Sequence, residues 1–362
     1  MKRIPAVHSG CKHFMQPIQT AICSFGMSGR VFHAPFISTH PGFNFYAVWE
    51  RSKNLAQEKY PQLKVFNTLD KMLADENIEL VIINTPNITH YSFAKQALLA
   101  GKHVICEKPF TVTVIQAEEL IQLSLSSQKL LSVYHNRRYD SDYKTIRKIL
   151  DEKLLGEVVE AEFHFDRFKE ELSPKLHKET AGQGTGALYD LGAHLIDQAL
   201  QLFGMPDAVF ADIAAMRPIS IVDDYFELLL YYSSFRVRIK ASYQVREPLP
   251  GYIIHGRKGS FIKPKTDVQE AQLLQGMLPT DVGYGIEPQT EQGLLHTEID
   301  GSLSRKYIPS LKGNYMEYFE GIFQAIRHNG INPVTAEEGL NVIKIIEAAF
   351  KSNTEKRVIN VQ

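Results

Sequence analysis

The sequence predicts a doubly wound α/β domain followed by an α+β domain built on a large, mostly antiparallel sheet. Three observations carry this. From Ile18 to about residue 137, apolar runs of strand length alternate with helical stretches. From about residue 207 such runs follow one another with no helix between them. Several of the later runs alternate apolar with polar side chains, whereas the early ones are apolar throughout. Strand–helix alternation builds crossover units and buried parallel strands, and alternating polarity marks antiparallel strands with one wet face.

Residues 18–25 (IQTAICSF) read as the first strand, ending at Gly26. The helix after Gly29 has Val31, Phe32, Phe36 and Ile37 on its apolar side. A second strand at 43–50 precedes a helix over 53–60 that Pro61 cuts, and ELVIINT at 79–85 is the third strand. A helix over 91–100 closes at Gly101, a residue suited to a helix C-terminus. Strands at 103–108 and 129–136 flank a helix at about 114–126. Beyond a helix at 142–151 come strands at 157–165, 207–216, 225–232, 235–245 and 251–256. In the fourth of these, Arg236, Arg238 and Lys240 alternate with Val237, Ile239 and Ala241. Helices return at about 314–328 and 335–351, while 264–313 is interrupted by Gly and Pro and receives no assignment.

Composition sets bounds. Hydrophobic residues make up 44% and charged residues 22% of 362, ordinary values for a globular chain of about two domains. The net charge of −1 argues against a nucleic-acid partner, which a basic excess would mark. The three cysteines, Cys11, Cys23 and Cys106, have no CxxC spacing, so reduced thiols in a cytoplasmic protein are expected. No apolar run approaches the roughly 18 residues of a membrane span, so no membrane partner is expected. Residues 1–16 are positively charged without a signal peptide's apolar core and read as an extension.

The segment Ser24-Phe25-Gly26-Met27-Ser28-Gly29 follows the first strand and opens a helix. It matches the dinucleotide fingerprint GxGxxG with Ser24 in the first glycine's place. Small residues are needed there because backbone amides and a helix N-terminus must approach a pyrophosphate closely. Glu50 lies 21 residues beyond Gly29, where an acidic residue holds the ribose diol. Arg51 beside it could instead pair with a 2′-phosphate, so the cofactor is read as NAD(P). The expected organisation is an extension at 1–17, a dinucleotide-binding domain at 18–137 and an α+β substrate domain at 138–362, to which the resemblance given below adds oligomerisation.

Lys108 ends the fourth strand, at the edge where open α/β sheets bind ligands, and its charge can stabilise a developing alkoxide. In the glycine-rich stretch at 182–200, Asp190 and His194 are spaced to share one helical face, with Asp197 three residues further on. His194 is the side chain suited to proton exchange, and a carboxylate beside it can orient the ring and raise its pKa. A histidine and two carboxylates on one helix could also ligate a divalent ion; no metal is expected.

Taken together, SFGMSGRVFHAPF, TPNITH, EKPF, SVYHNRR, YDLGAHLIDQ and PVTAEEGLNVIKIIEAA resemble the Gfo/Idh/MocA oxidoreductase family, and within it the NADP-dependent scyllo-inositol dehydrogenase-like members. The resemblance runs from about Ile18 to the end of the chain. It implies a Rossmann domain followed by an open-faced sheet domain that often mediates oligomerisation, here as a dimer or tetramer. It implies catalysis by Lys108, Asp190 and His194, with Asp190 holding the imidazole. It implies cofactor contacts from Phe25, Gly26, Ser28, Gly29, Arg30, Glu50 and Arg51, with Thr85, Asn87, His90, Glu107 and Asn136 on the nicotinamide side. Arg137 and Arg138 are either structural or face the substrate. Where close relatives carry a Trp-Arg pair, the chain reads Lys175-Leu176-His177-Lys178, with Lys178 in the arginine's stead. The implied activity is hydride transfer between nicotinamide and a carbinol or ketone of a sugar or cyclic polyol. A cofactor-binding sensor without turnover is the alternative.

Overall fold

The structure is a computed structural model and describes residues 16–51, 54–266 and 268–361. Cys11 and nearly all of the expected N-terminal extension lie outside the described residues.

Six strands form the first sheet: β1 (Ile18–Ile22), β2 (Phe43–Trp49), β3 (Lys64–Phe66), β4 (Leu80–Ile83), β5 (His103–Glu107) and β6 (Leu131–Tyr134). Their spatial order is β3-β2-β1-β4-β5-β6, and every neighbouring pair is parallel. The chain works outward from β1 to β3 and then crosses to β4 on the other side of β1. At such a switch point the loops leaving the carboxyl ends splay apart and open a crevice. Five strands were expected; β3 has three residues, too few to show a period. The helix Leu69–Leu73 behind it was also unexpected, although Thr68 caps it by accepting from the Lys71 amide at 3.3 Å.

Nine strands form the second sheet: β7 (Val158–His164), β8 (Ala208–Ala214), β9 (Tyr225–Tyr231), β10 (Arg236–Ser242), β11 (Tyr252–Gly256), β12 (Gly259–Lys263), β13 (Gly293–Ile299), β14 (Ser302–Ile308) and β15 (Ile359–Asn360). The order is β14-β13-β12-β11-β7-β10-β9-β8-β15, with β7 and β10 parallel and the other pairs antiparallel. In β10, Val237, Ile239 and Ala241 are buried while Arg236, Arg238 and Lys240 stay partly in solvent, which is the alternation read in the sequence. The unassigned stretch holds β13, β14 and the helix Val268–Leu274.

Helices Ala193–Phe203 and Ala336–Glu355 cover the second sheet, packing Leu195, Ile196, Ile343 and Ile346 against Phe226, Leu228, Val237 and Ile239. The longer helix starts with a capping box between Thr335 and Glu338, which satisfies two of its free amides. Helix Met316–His328 returns to the first sheet, where Tyr318, Phe319 and Ile322 join Phe36 and Tyr134 in one core. The Phe36 and Phe319 rings stack at 5.1 Å. Burying a ring such as Phe319 stabilises by roughly 1.5–3 kcal/mol, so side chains well beyond residue 137 complete the first core. Among the described residues no helix is long and apolar enough to cross a membrane.

Candidate active site

β1 delivers the segment from Ser24 to Gly29 to the crevice. Asn84, at the end of β4, donates from Nδ2 to the Ser24 carbonyl at 2.7 Å and so ties the two switch-point loops together. Gly29 lies under this contact: a Cβ there would stand 2.1 Å from the Ser24 oxygen. That is the close helix–strand approach for which the last glycine of the fingerprint is needed. Gly26 differs, being exposed, with a Cβ meeting only Ser24 Oγ at 3.4 Å. The protein itself leaves room at Gly26, so the fold does not require a bare backbone there. Ser24 Oγ accepts from the Gly26 amide at 3.3 Å, a local turn that stands in for the missing glycine. The helix opens at Met27, its first-turn amides lack intrahelical partners, and Arg30 is exposed beside them. This donor set fits a dinucleotide pyrophosphate.

Two expected cofactor contacts require correction. The Phe25 side chain is buried, stacked on Phe45 at 6.4 Å and edge-on to Tyr60 at 6.1 Å, so only its backbone belongs to the loop. His90 is fully buried, with Nδ1 2.8 Å from the Pro109 carbonyl and Nε2 2.9 Å from the Thr85 carbonyl. Burial holds His90 below the ordinary imidazole range despite those carbonyls, and it acts as a strut between the loops after β4 and β5.

The remaining expected contacts fall into two groups. Glu50 ends β2 and accepts from the Ala56 amide at 2.9 Å, while Arg51 beside it is exposed. Thr85 Oγ1 pairs with Thr89 Oγ1 at 2.7 Å, and Asn87 Nδ2 donates to the Gly184 carbonyl at 2.7 Å, bridging the first domain to the glycine-rich loop. Gly184 has φ +82°, and a Cβ would stand 2.4 Å from Val112 Cγ1, so the bridge needs glycine there. Glu107 accepts from Ser28 Oγ and, at 2.9 Å, from His33 Nε2. Burial pushes the Glu107 carboxyl up, but His33, Ser28 and Lys108 together bring it below its ordinary range. Glu107 thus fastens the phosphate loop to β5, and His33, its partner in this, carried no signal in the sequence. Asn136 is buried at the mouth of the loop after β6.

Lys108 and the helix beginning near Asp190 meet across the domain junction. Lys108 Nζ donates to the Asp190 carbonyl at 2.6 Å and to its Oδ1 at 3.0 Å, and Lys178 Nζ donates to Oδ2 at 2.8 Å. Burial opposes charge on Asp190, but the two ammonium groups hold it ionised, far below the usual carboxylate range. Burial lowers Lys108, and Lys178 adds to the shift against the pull of Asp190. The expectation that Asp190 orients the His194 ring and raises its pKa is therefore corrected: charge-assisted bonds to two lysines outbid a neutral imidazole. His194 is buried, with Nδ1 unpartnered among the described residues. Burial, reinforced by Lys108, Arg137, His135 and Lys265, pushes its pKa well down, so the imidazole is neutral.

Asp197 and the two arginines are also settled by their partners. Arg138 grips Asp197 with two bonds of 2.9 and 2.6 Å and reaches Glu338 at 3.1 Å. Arg137 pairs with Asp140 at 3.3 Å and Glu270 at 3.0 Å. Asp197 is thus the carboxylate half of a buried ion pair with Arg138.

A pocket of about 170 Å³ adjoins Asp190, lined by the loop after β4, the glycine-rich loop and the loop that leads into β9. Arg167, Lys169, Asp223 and Tyr243 reach it from the second sheet's loops; sequence reading missed them because no motif surrounds them.

Comparison with known proteins agrees with this architecture. Residues 18–135 match the family model described as "Oxidoreductase family, NAD-binding Rossmann fold", and residues 147–361 match its C-terminal alpha/beta domain. The chain belongs to the Gfo/Idh/MocA oxidoreductase family. It is an NAD(P)-dependent dehydrogenase with a Rossmann domain and a mostly antiparallel second sheet. It is 38% identical to the Bacillus subtilis scyllo-inositol 2-dehydrogenase (NADP(+)) IolW, over 95% of this chain and 96% of that one. It is 29% identical to the Escherichia coli D-glucoside 3-dehydrogenase over 52% of this chain and 55% of the other. The solved structure of the oxidoreductase yvaA from Bacillus subtilis superposes with a TM-score of 0.92 at 38% identity, covering 96% of this chain and 99% of that one.

Proposed function

We propose that the chain oxidises a hydroxyl of a sugar or cyclic, inositol-like polyol and reduces the matching ketone in reverse. The observation that carries this reading is the junction where Lys108, from the edge of the parallel sheet, is held 3.0 Å from Asp190, one helical turn from the neutral His194. A nicotinamide bound on the Gly26–Gly29 side supplies the hydride acceptor. Gly26, Ser28, Gly29 and Arg30 hold its pyrophosphate, and Glu50 and Arg51 its ribose end. His194 takes the hydroxyl proton; its neutrality leaves the nitrogen lone pair available at physiological pH. The Lys108 ammonium stabilises the oxygen as negative charge develops. Asp190 keeps that ammonium charged and aimed, because burial alone draws Lys108 toward the neutral form. Asn87 and Glu107 position the loops around the reacting carbon. The relatives named for inositol and glucoside substrates support the substrate class.

The test follows reduced nicotinamide by absorbance, with NAD+ or NADP+ and a panel of inositols and aldoses. The expected result is turnover with at least one cyclic polyol or sugar, and a fall of about 10²–10⁴-fold in kcat for His194→Ala with cofactor affinity kept. A near-wild-type rate in that variant removes His194 from the mechanism. Cofactor binding without turnover on any substrate would favour the sensor.

A further inference from the structure

The pocket beside Asp190 has more cationic donors than its own carboxylates can use. Each carboxylate there is already engaged. Asp190 takes Lys108 and Lys178, Glu179 takes the Ser173 amide at 2.7 Å and Arg217 at 3.4 Å, and Asp223 takes the Leu188 amide at 2.8 Å. Arg217 is further matched by Asp224 at 2.7 Å. Arg167 and Lys169 line the same pocket with no ion pair among the described residues. The Arg167 guanidinium instead lies 4.8 Å from the centre of the Phe165 ring. Two further cations share that aromatic neighbour but already have partners: Arg137 pairs with Asp140 and Glu270, and Lys265 with Asp142 at 3.7 Å. Arg137 and Lys265 lie over the same Phe165 ring, at 5.2 and 4.8 Å.

We propose that the physiological substrate is a polyol or sugar carrying an anionic group, a carboxylate or a phosphate, received by Arg167 and Lys169. This rests on the hydride-transfer reading above and adds its substrate class. A neutral polyol offers hydroxyls that donate and accept alike, and it leaves Arg167 and Lys169 without an ion pair among the described residues. An anionic group satisfies both with charge-assisted bonds, and its field draws the substrate in from solution. The volume of about 170 Å³, well under the roughly 300–1,000 Å³ of drug-sized sites, suits a single small metabolite. Lys178 and Asp190 line the same pocket, which therefore opens onto the carboxylate that holds Lys108.

The experiment is calorimetric titration of the full-length protein, saturated with NADP+, with D-glucuronate, D-glucose 6-phosphate and D-glucose. The same titrations are repeated on Arg167→Ala/Lys169→Ala, whose exposed side chains make folding intact by circular dichroism the expected control. At least one anionic probe should bind about 10–100-fold more tightly than glucose. That margin should shrink at high salt and collapse in the double variant. Tighter glucuronate assigns a carboxylate, tighter glucose 6-phosphate a phosphate. Equal or tighter binding of glucose, no measurable binding of any probe, or an unchanged margin in the variant overturns the proposal. If the margin behaves as expected but no probe or polyol reduces the nicotinamide, the anion site stands and the hydride-transfer reading fails.

Discussion

At Asp190 two ammonium groups compete for one carboxylate, and the outcome decides what its neighbours can do. Lys108 and Lys178 at 3.0 and 2.8 Å keep it ionised. Asp223, which lines the same pocket, goes the other way. It has no ion pair among the described residues, so burial, helped by Asp224, pushes its carboxyl up to about 6 against the amides that lower it. A raised folded-state pKa means that folding favours the protonated form. That contribution is complete below the ordinary aspartate range and is lost as pH rises from about 4 to 6. Asp223→Asn keeps an acceptor for the Leu188 amide and removes the titration. The stability of the wild type relative to this variant should therefore grow as pH falls from 6 to 4, by as much as about 3 kcal/mol. Chemical unfolding across that window checks it, and a constant difference would contradict the assignment.

At the scale of the element, the phosphate loop separates a folding requirement from a binding one. A methyl at Gly29 collides with the Ser24 carbonyl at 2.1 Å, backbone against backbone, while a methyl at Gly26 rests at 3.4 Å from a hydroxyl. Gly26→Ala should fold with stability within about 0.5 kcal/mol of wild type and yet weaken nicotinamide binding. Gly29→Ala should lose both. Thermal melts with and without NADP+ distinguish the two, and equal behaviour of the variants would contradict the division of roles. The loop itself was legible in the sequence because its chemistry is local: small residues between a strand and a helix. Glu107 was also expected at the site, but its role in fastening Ser28 to β5 was not legible, since its other partner, His33, comes from a helix 74 residues earlier. Short elements were lost for a similar reason, as three residues of β3 cannot display a period.

Across the whole molecule, Arg138 is the clasp between the domains. It leaves the end of the parallel sheet, grips Asp197 on the helix that carries His194, and touches Glu338 on the helix that covers the second sheet. Asp197→Ala leaves a buried guanidinium with only Glu338, at 3.1 Å, and breaking such a buried pair costs about 3–5 kcal/mol. The midpoint of urea unfolding should fall accordingly, and a loss under about 1 kcal/mol would mean that the junction is held elsewhere. The ring cluster of Phe36, Tyr134, Tyr318 and Phe319 is the second such fastening, joining residues nearly 300 positions apart in the chain.

The sequence by itself determined the parallel strands of the first domain, the change to alternating strands, the glycine loop after β1 and the placing of Lys108, Asp190 and His194 as candidates at element ends. Each of these is written in short-range patterns: apolar runs, glycine spacing, a lysine at a strand's end. Tertiary structure alone decided which partner each charge takes. It gave Asp190 to two lysines rather than to His194, closed His90 and Phe25 off from the crevice, and gathered Arg167 and Lys169 beside Asp190. Those outcomes depend on distances between segments tens to hundreds of residues apart, and on burial that sets the strength of each charge. Neither quantity exists until the two sheets are packed.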